Sequence, residues 1–248
     1  RHPGAISTYA YTANVPDDRG KLYSSILSMI QFMAPWLSAF YFTGLAVMLL
    51  RLSAGVLHLS SLRRKGLSQP EIAVYELLTT LKDRMRLSRG VQLFVSAKAQ
   101  VPMVAGILRP VILMPAAVMT HLSMEQVETI LLHELAHIKR YDHLLNILHT
   151  LIETILFFNP FLWIISSVTR REMEHCCDDI VLSHSKEPIF YASALAVLAQ
   201  NPVTVSAFTV AASGQSNYLF NRIKRIMEMK KNPFSYSRMA AAIIMITV

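Results

Sequence analysis

The sequence predicts a mainly α-helical membrane protein whose transmembrane helices carry an α+β domain with a small β-hairpin sheet. Three observations predict it. Hydrophobic residues make up 53% of the chain and charged residues only 16%, which is too apolar for an ordinary soluble domain. Residues 22–50 contain no charged side chain and are bracketed by Lys21 and Arg51. Residues 123–140 repeat apolar positions at helical spacing around a paired-histidine pattern, between shorter segments that alternate or are broken by proline.

Taken in order, residues 1–20 are polar and read as a loop. The run over 21–52 is long enough, at about 1.5 Å per residue, to cross roughly 30 Å of hydrocarbon as a tilted helix. Pro35 is a candidate kink within it. Arg51, Arg63, Arg64 and Lys65 follow the run, whereas Asp17 and Asp18 offset the basic residues before it. Positive charge collects on the cytoplasmic side, so residues after 52 are expected inside and residues 1–20 outside. The net charge of +8 has the same explanation. No nucleic-acid-binding motif accompanies it, and no direct nucleic-acid partner is expected.

Residues 70–88 have the pattern of an amphipathic helix, and 91–96 alternate as a strand. Residues 101–115, punctuated by Pro102, Gly106, Pro110 and Pro115, read as two short strands around a turn. Such an edge can accept an extended peptide by backbone pairing.

Next comes Ser123, an N-cap candidate with Gln126 three residues on, the signature of a capping box. The helix it starts carries His133-Glu134-Leu135-Ala136-His137. Histidines four apart share one helix face, where one zinc ion can take both. Glu134, one step round, is placed as general base for the attacking water. Three fixed positions recur by chance, so the motif needs a third ligand.

Residues 144–168 are again apolar, interrupted by Asn159-Pro160. If metal ligands lie on both sides of this segment, its ends must share one side of the membrane. It is therefore expected to be a re-entrant hairpin turning near Asn159-Pro160. His149 and Glu153 on its first arm read as an inward polar stripe satisfied by the domain. After it, a helical stretch from Thr169 offers Glu174 and Asp178 at i, i+4. Glu174 is the economical third ligand, with Asp178 orienting a ligand imidazole. Spacing alone leaves His175 and the cysteines open. Cys176 and Cys177 are adjacent, poorly placed for a disulfide, and read as small buried residues in a reducing compartment. Tyr141 and His184 are candidates for stabilising an oxyanion. The basic residues of 221–231 read as a flank on the cytoplasmic side of a further apolar run. The chain reads as a piece of a longer protein.

Together, the His133–His137 motif, the Phe158-Asn159-Pro160 turn, the Arg171-Glu-Met-Glu-His-Cys-Cys-Asp178 stretch and the Pro102–Pro115 hairpin resemble the BlaR/MecR-type sensor-transducer metallopeptidases of bacterial membranes. The resemblance implies an integral-membrane gluzincin. Zinc would be bound by His133, His137 and Glu174, with Glu134 catalytic and Asp178 behind the ligands. It implies a multi-pass protein of the bacterial inner membrane, its active site cytoplasmic, and an extracellular sensor. The expected division is an extracellular loop (1–20), a transmembrane helix (21–52), a cytoplasmic zinc-protease domain (53–143 and 169–237), the re-entrant hairpin (144–168) and the start of another transmembrane helix (238–248). Expected partners are the lipid bilayer and a protein substrate, which is the chain itself (around 207–218) or a cytosolic repressor; a homodimer is left open. The alternative is a housekeeping quality-control gluzincin of the membrane.

Overall fold

The computed structural model describes residues 18–64, 66–106, 109–185, 187–200 and 215–229. Residues 1–17 of the expected extracellular loop, residues 207–214 of the expected self-cleavage region, and the apolar run over 238–248 lie outside them. Two compact units separate at Met48–Leu49. Among the described residues the fold is mostly helical with one small mixed sheet.

The first unit holds the N-terminal part of α1, a helix that runs from Asp18 to Arg64 without interruption, Pro35 included, its residues from Leu49 on belonging to the second unit. Its large apolar side chains, such as Leu27, Phe32, Trp36, Phe40 and Leu50, are exposed. From Tyr23 onward it is long and apolar enough to cross a membrane. The sequence reading expects a membrane span over 21–52; the helix itself continues for 12 more residues, through Arg64. Arg51 marks the end of the apolar run, not of the helix: the residues that follow are compatible with helix, and no proline or cap stops it before Gly66, whose φ is +74°.

In the second unit, β1 (Leu67–Ser68), β2 (Gln92–Ser96), β3 (Met103–Ala105) and β4 (Val111–Pro115) form a sheet in the order β1-β2-β4-β3. β3 and β4 are the hairpin the prolines predict, with Met103 opposite Leu113 and Ala105 opposite Val111. Its turn needs Gly106: φ is +101°, and a Cβ there would stand 2.7 Å from the Arg109 carbonyl oxygen. β4 is central and pairs in parallel with β2, Ile112 opposite Leu93. Every residue of β4 is buried because both faces are covered. Ile112 and Met114 face the helices. Val111 and Leu113 face a smaller cluster that includes Leu62, near the end of α1.

The helices of this unit are α2 (Ile72–Arg84), α3 (Ala116–Met119), α4 (Met124–Arg140), α5 (Asp142–Ile155), α6 (Pro160–His184), α7 (Pro188–Gln200) and α8 (Gln215–Met229). The organising element is α4, which packs against α2, α5, α6 and α7. Its start is the predicted capping box, with Ser123 and Gln126 exchanging side-chain and backbone hydrogen bonds. Leu131, Leu132, Leu135 and Ala136 are fully buried, so α4 is covered around most of its circumference. Its end is unusual: Tyr141 adopts a left-handed φ of 60°, closes α4 and opens α5.

Between α5 and α6 the chain turns over Leu156–Asn159. The Asn159 side chain accepts from the Phe161 amide at 3.0 Å, and Pro160 follows at the first helical position. The two helices pack together, and Arg170 pairs with Glu153 at 3.2 Å. Their outward residues, including Leu144, Leu148, Leu151, Phe158, Phe161, Trp163 and Ile165, are exposed and apolar.

Candidate metal centre

One turn of α4 and one of α6 bring the sequence-predicted donors together. His133 Nε2 and His137 Nε2 are 3.1 Å apart. The Glu174 carboxylate oxygens lie 3.3 Å from the first and 3.5 Å from the second. All three donor atoms fall within 4.8 Å of one another. With bonds of 2.0–2.1 Å, a tetrahedral zinc ion would hold its ligand atoms roughly 3.3–3.4 Å apart, so this donor set fits the ion.

The protons point the same way. The Tyr191 hydroxyl donates to Asp178 Oδ1 at 2.5 Å. It has one hydrogen, so its 2.8 Å contact with His133 Nδ1 must be a bond that it accepts from the ring. His133 Nε2 is thus left with a lone pair. His137 Nδ1 likewise faces the Asp142 carboxylate at 2.9 Å, an acceptor, so in the neutral ring the Nε2 lone pair faces the same point. With both rings neutral, two imidazole lone pairs and a carboxylate converge on one point, an arrangement that suits a cation. Glu174 is ionised there. Burial works against its charge, but the neighbouring His133 ring, the Arg222 guanidinium and the His137 ring together hold its carboxyl well below the usual range.

Behind the donors, each histidine has its own carboxylate, although only one is a direct partner. Asp178, on α6, is 3.5 Å from His133 Nδ1, too far for a hydrogen bond; Tyr191 of α7 bridges the gap. The sequence reading lets Asp178 contact a ligand imidazole itself, and the tyrosine is the difference. Asp142, which the sequence reading missed, orients His137. The break at Tyr141 makes this geometry available by turning the chain so that Asp142, five residues on, reaches back. Arg140 Nε contacts both Asp142 oxygens at 3.3 Å, and the Cys177 thiol donates to it at 3.3 Å. Burial, reinforced by Asp142, pushes the Cys177 thiol far up, so it remains protonated.

Glu134 is buried on the same helix. Burial raises its carboxyl, partly opposed by the neighbouring His133 and His137 rings. Arg222 of α8, read from the sequence only as part of a basic flank, binds both oxygens of Asp178 at 3.0 and 2.6 Å and Glu174 Oε2 at 2.8 Å. The basic stripe expected as a membrane flank therefore faces partly inward: Arg222 enters the site, and Arg225 pairs with Asp179 at 2.8 Å. The other candidates lie elsewhere. Tyr141 is an exposed helix end beneath the Arg89 guanidinium, and His184 Nδ1 bonds within its own helix to the Ile180 carbonyl. Cys176 and Cys177 are both free thiols.

Known proteins share much of this chain. It is 27% identical over 194 residues to the regulatory protein BlaR1 of Bacillus licheniformis, covering 78% of this chain and 31% of that protein. It is 31% identical over 108 residues to the methicillin resistance mecR1 proteins of Staphylococcus aureus and Staphylococcus epidermidis, covering 43% of this chain and 18% of each. The chain thus spans about a third or less of the length of these relatives. The model of the BlaR1 peptidase M56 family matches residues 14–226, which take in α4, α6 and the metal-centre residues, and the chain belongs to that family.

Proposed function

We propose that this chain is the zinc endopeptidase part of a membrane-bound, signal-transducing sensor that cleaves itself or a cytosolic repressor. The observation that carries the reading is the convergence of His133, His137 and Glu174, with Tyr191 and Asp142 set against the outer ring nitrogens. His133, His137 and Glu174 would hold zinc, which supplies Lewis acidity to a peptide carbonyl and to water at the site. The buried Glu134 carboxylate accepts a proton from the attacking water and delivers it to the departing amine nitrogen. The raised affinity of Glu134 for a proton suits it to that exchange. β3, at the sheet edge and packed near α4, offers backbone groups on which an extended substrate can pair. The greasy α1 and the exposed apolar faces of α5 and α6 support membrane attachment, with α5 and α6 as the hairpin that enters and leaves on one side.

The direct test is Glu134→Gln. Proteolysis of a repressor-like substrate or of the chain should fall by 10²–10⁴-fold or more, while zinc stays at one per chain by elemental analysis. Wild-type cleavage by the variant would reject the mechanism.

A further inference from the structure

We infer that Arg222 is a positioning residue for the metal centre, fixing the Glu174 carboxylate and the Asp178–Tyr191 pair in the arrangement that presents both histidines. The inference rests on the zinc-site reading above. One guanidinium reaches three groups: Nε and Nη2 fork onto Asp178 at 3.0 and 2.6 Å, Nη2 also donates to Tyr191 at 3.1 Å, and Nη1 meets Glu174 Oε2 at 2.8 Å. Asp178 is fully buried and Arg222 is 7% exposed.

Charge neutralisation alone would need only Asp178. The contact with Glu174 is extra, and it falls on the carboxylate that has most freedom, since a glutamate side chain has three rotatable bonds. Pinning Oε2 fixes the plane of that carboxylate, with Oε1 left 3.5 Å from His137 Nε2. Only a planar fork can serve both acids at once. Docking α8 is also served elsewhere: Arg225 pairs with Asp179 at 2.8 and 3.0 Å, and Ile226 is fully buried. Arg222 and Arg225 therefore separate two jobs, the first setting ligand geometry and the second holding the helix.

The test compares zinc affinity, by chelator competition on the whole chain in detergent, for the wild type, Asp178→Asn, Asp178→Asn with Arg222→Met, and Arg225→Met. Removing Arg222 alone would strand a buried carboxylate; the Asp178→Asn background avoids that. The double variant should bind zinc about 10–100-fold more weakly than Asp178→Asn, with an altered Co²⁺ absorption spectrum, and added guanidinium should restore part of the affinity. Arg225→Met should lower the melting temperature and leave zinc affinity at the wild-type value. Equal affinity in the double variant and Asp178→Asn would overturn the inference, as would an equal loss in Arg225→Met, which would mean that any loosening of α8 suffices. A wild type that binds no zinc would instead overturn the metal-site reading itself.

Discussion

Tyr191 carries a single proton, and where that proton goes decides which nitrogen of His133 is free. Given to Asp178, it makes the hydroxyl an acceptor for the ring. Tyr191→Phe removes the relay and leaves His133 with Asp178 beyond hydrogen-bond range. Zinc affinity should fall about 10–100-fold, measured by competitive titration, and an unchanged value would show that the relay does not orient the ring. Asp142→Ala should act comparably through His137. At this scale the sequence was informative wherever helical spacing did the work. His133 and His137, like Glu174 and Asp178, are four apart, so shared faces follow from periodicity. Tyr191 and Arg222 come from two further helices, 58 residues from His133 and 44 from Asp178. No local pattern links such positions. Asp142 was hidden for another reason: it works only because Tyr141 takes a left-handed conformation that tyrosine ordinarily avoids.

Elements divide in the same way. The capping box, the β3–β4 hairpin and the turn at Asn159-Pro160 were legible because each depends on side chains two to four residues apart. Ser123→Ala should cost about 1 kcal/mol, visible as a lower midpoint in chemical denaturation; no shift would mean that packing alone sets the start of α4. Gly106→Ala places a Cβ against the Arg109 carbonyl at a backbone angle that L-residues resist, and should destabilise by about 1–3 kcal/mol. The parallel pairing of β2 with β4 and the two-residue β1 were not legible. Which strands become neighbours is settled by the helices packed over them. The end of α1 at Arg64 was not legible from the 21–52 apolar run, because charge reports where an apolar run stops, whereas a helix stops only at a cap or a breaker.

For the molecule as a whole, the membrane expectation concentrates on α1 and on the α5–α6 hairpin. The chain has two tryptophans, Trp36 on α1 and Trp163 on α6, and this makes the hairpin separately readable. In a Trp36→Phe background, emission from Trp163 should be blue-shifted and quenched by brominated lipid in nanodiscs. Emission typical of water, insensitive to bromine, would place the hairpin outside the hydrocarbon. Composition made the apolar character of the chain legible at once. That the greasy hairpin and the metal centre share α6 was legible only as a constraint: donors on either side of an apolar segment force it to return. The structure supplies the physical link, since α6 begins at the exposed Phe161 and carries Glu174 about three and a half turns later.

That Arg222 sits on α8 bears on the order in which the protein is made. A chain emerging from the ribosome presents the two histidines first, then Glu174 and Asp178, then Tyr191. The guanidinium arrives 44 residues after the aspartate it neutralises. Until then Asp178 has no guanidinium on which to close, and burying it would be costly. The candidate metal centre is thus completed by the last described helix to be synthesised, so the His133–His137 turn of α4 waits for its final polar partner until α8 has been made.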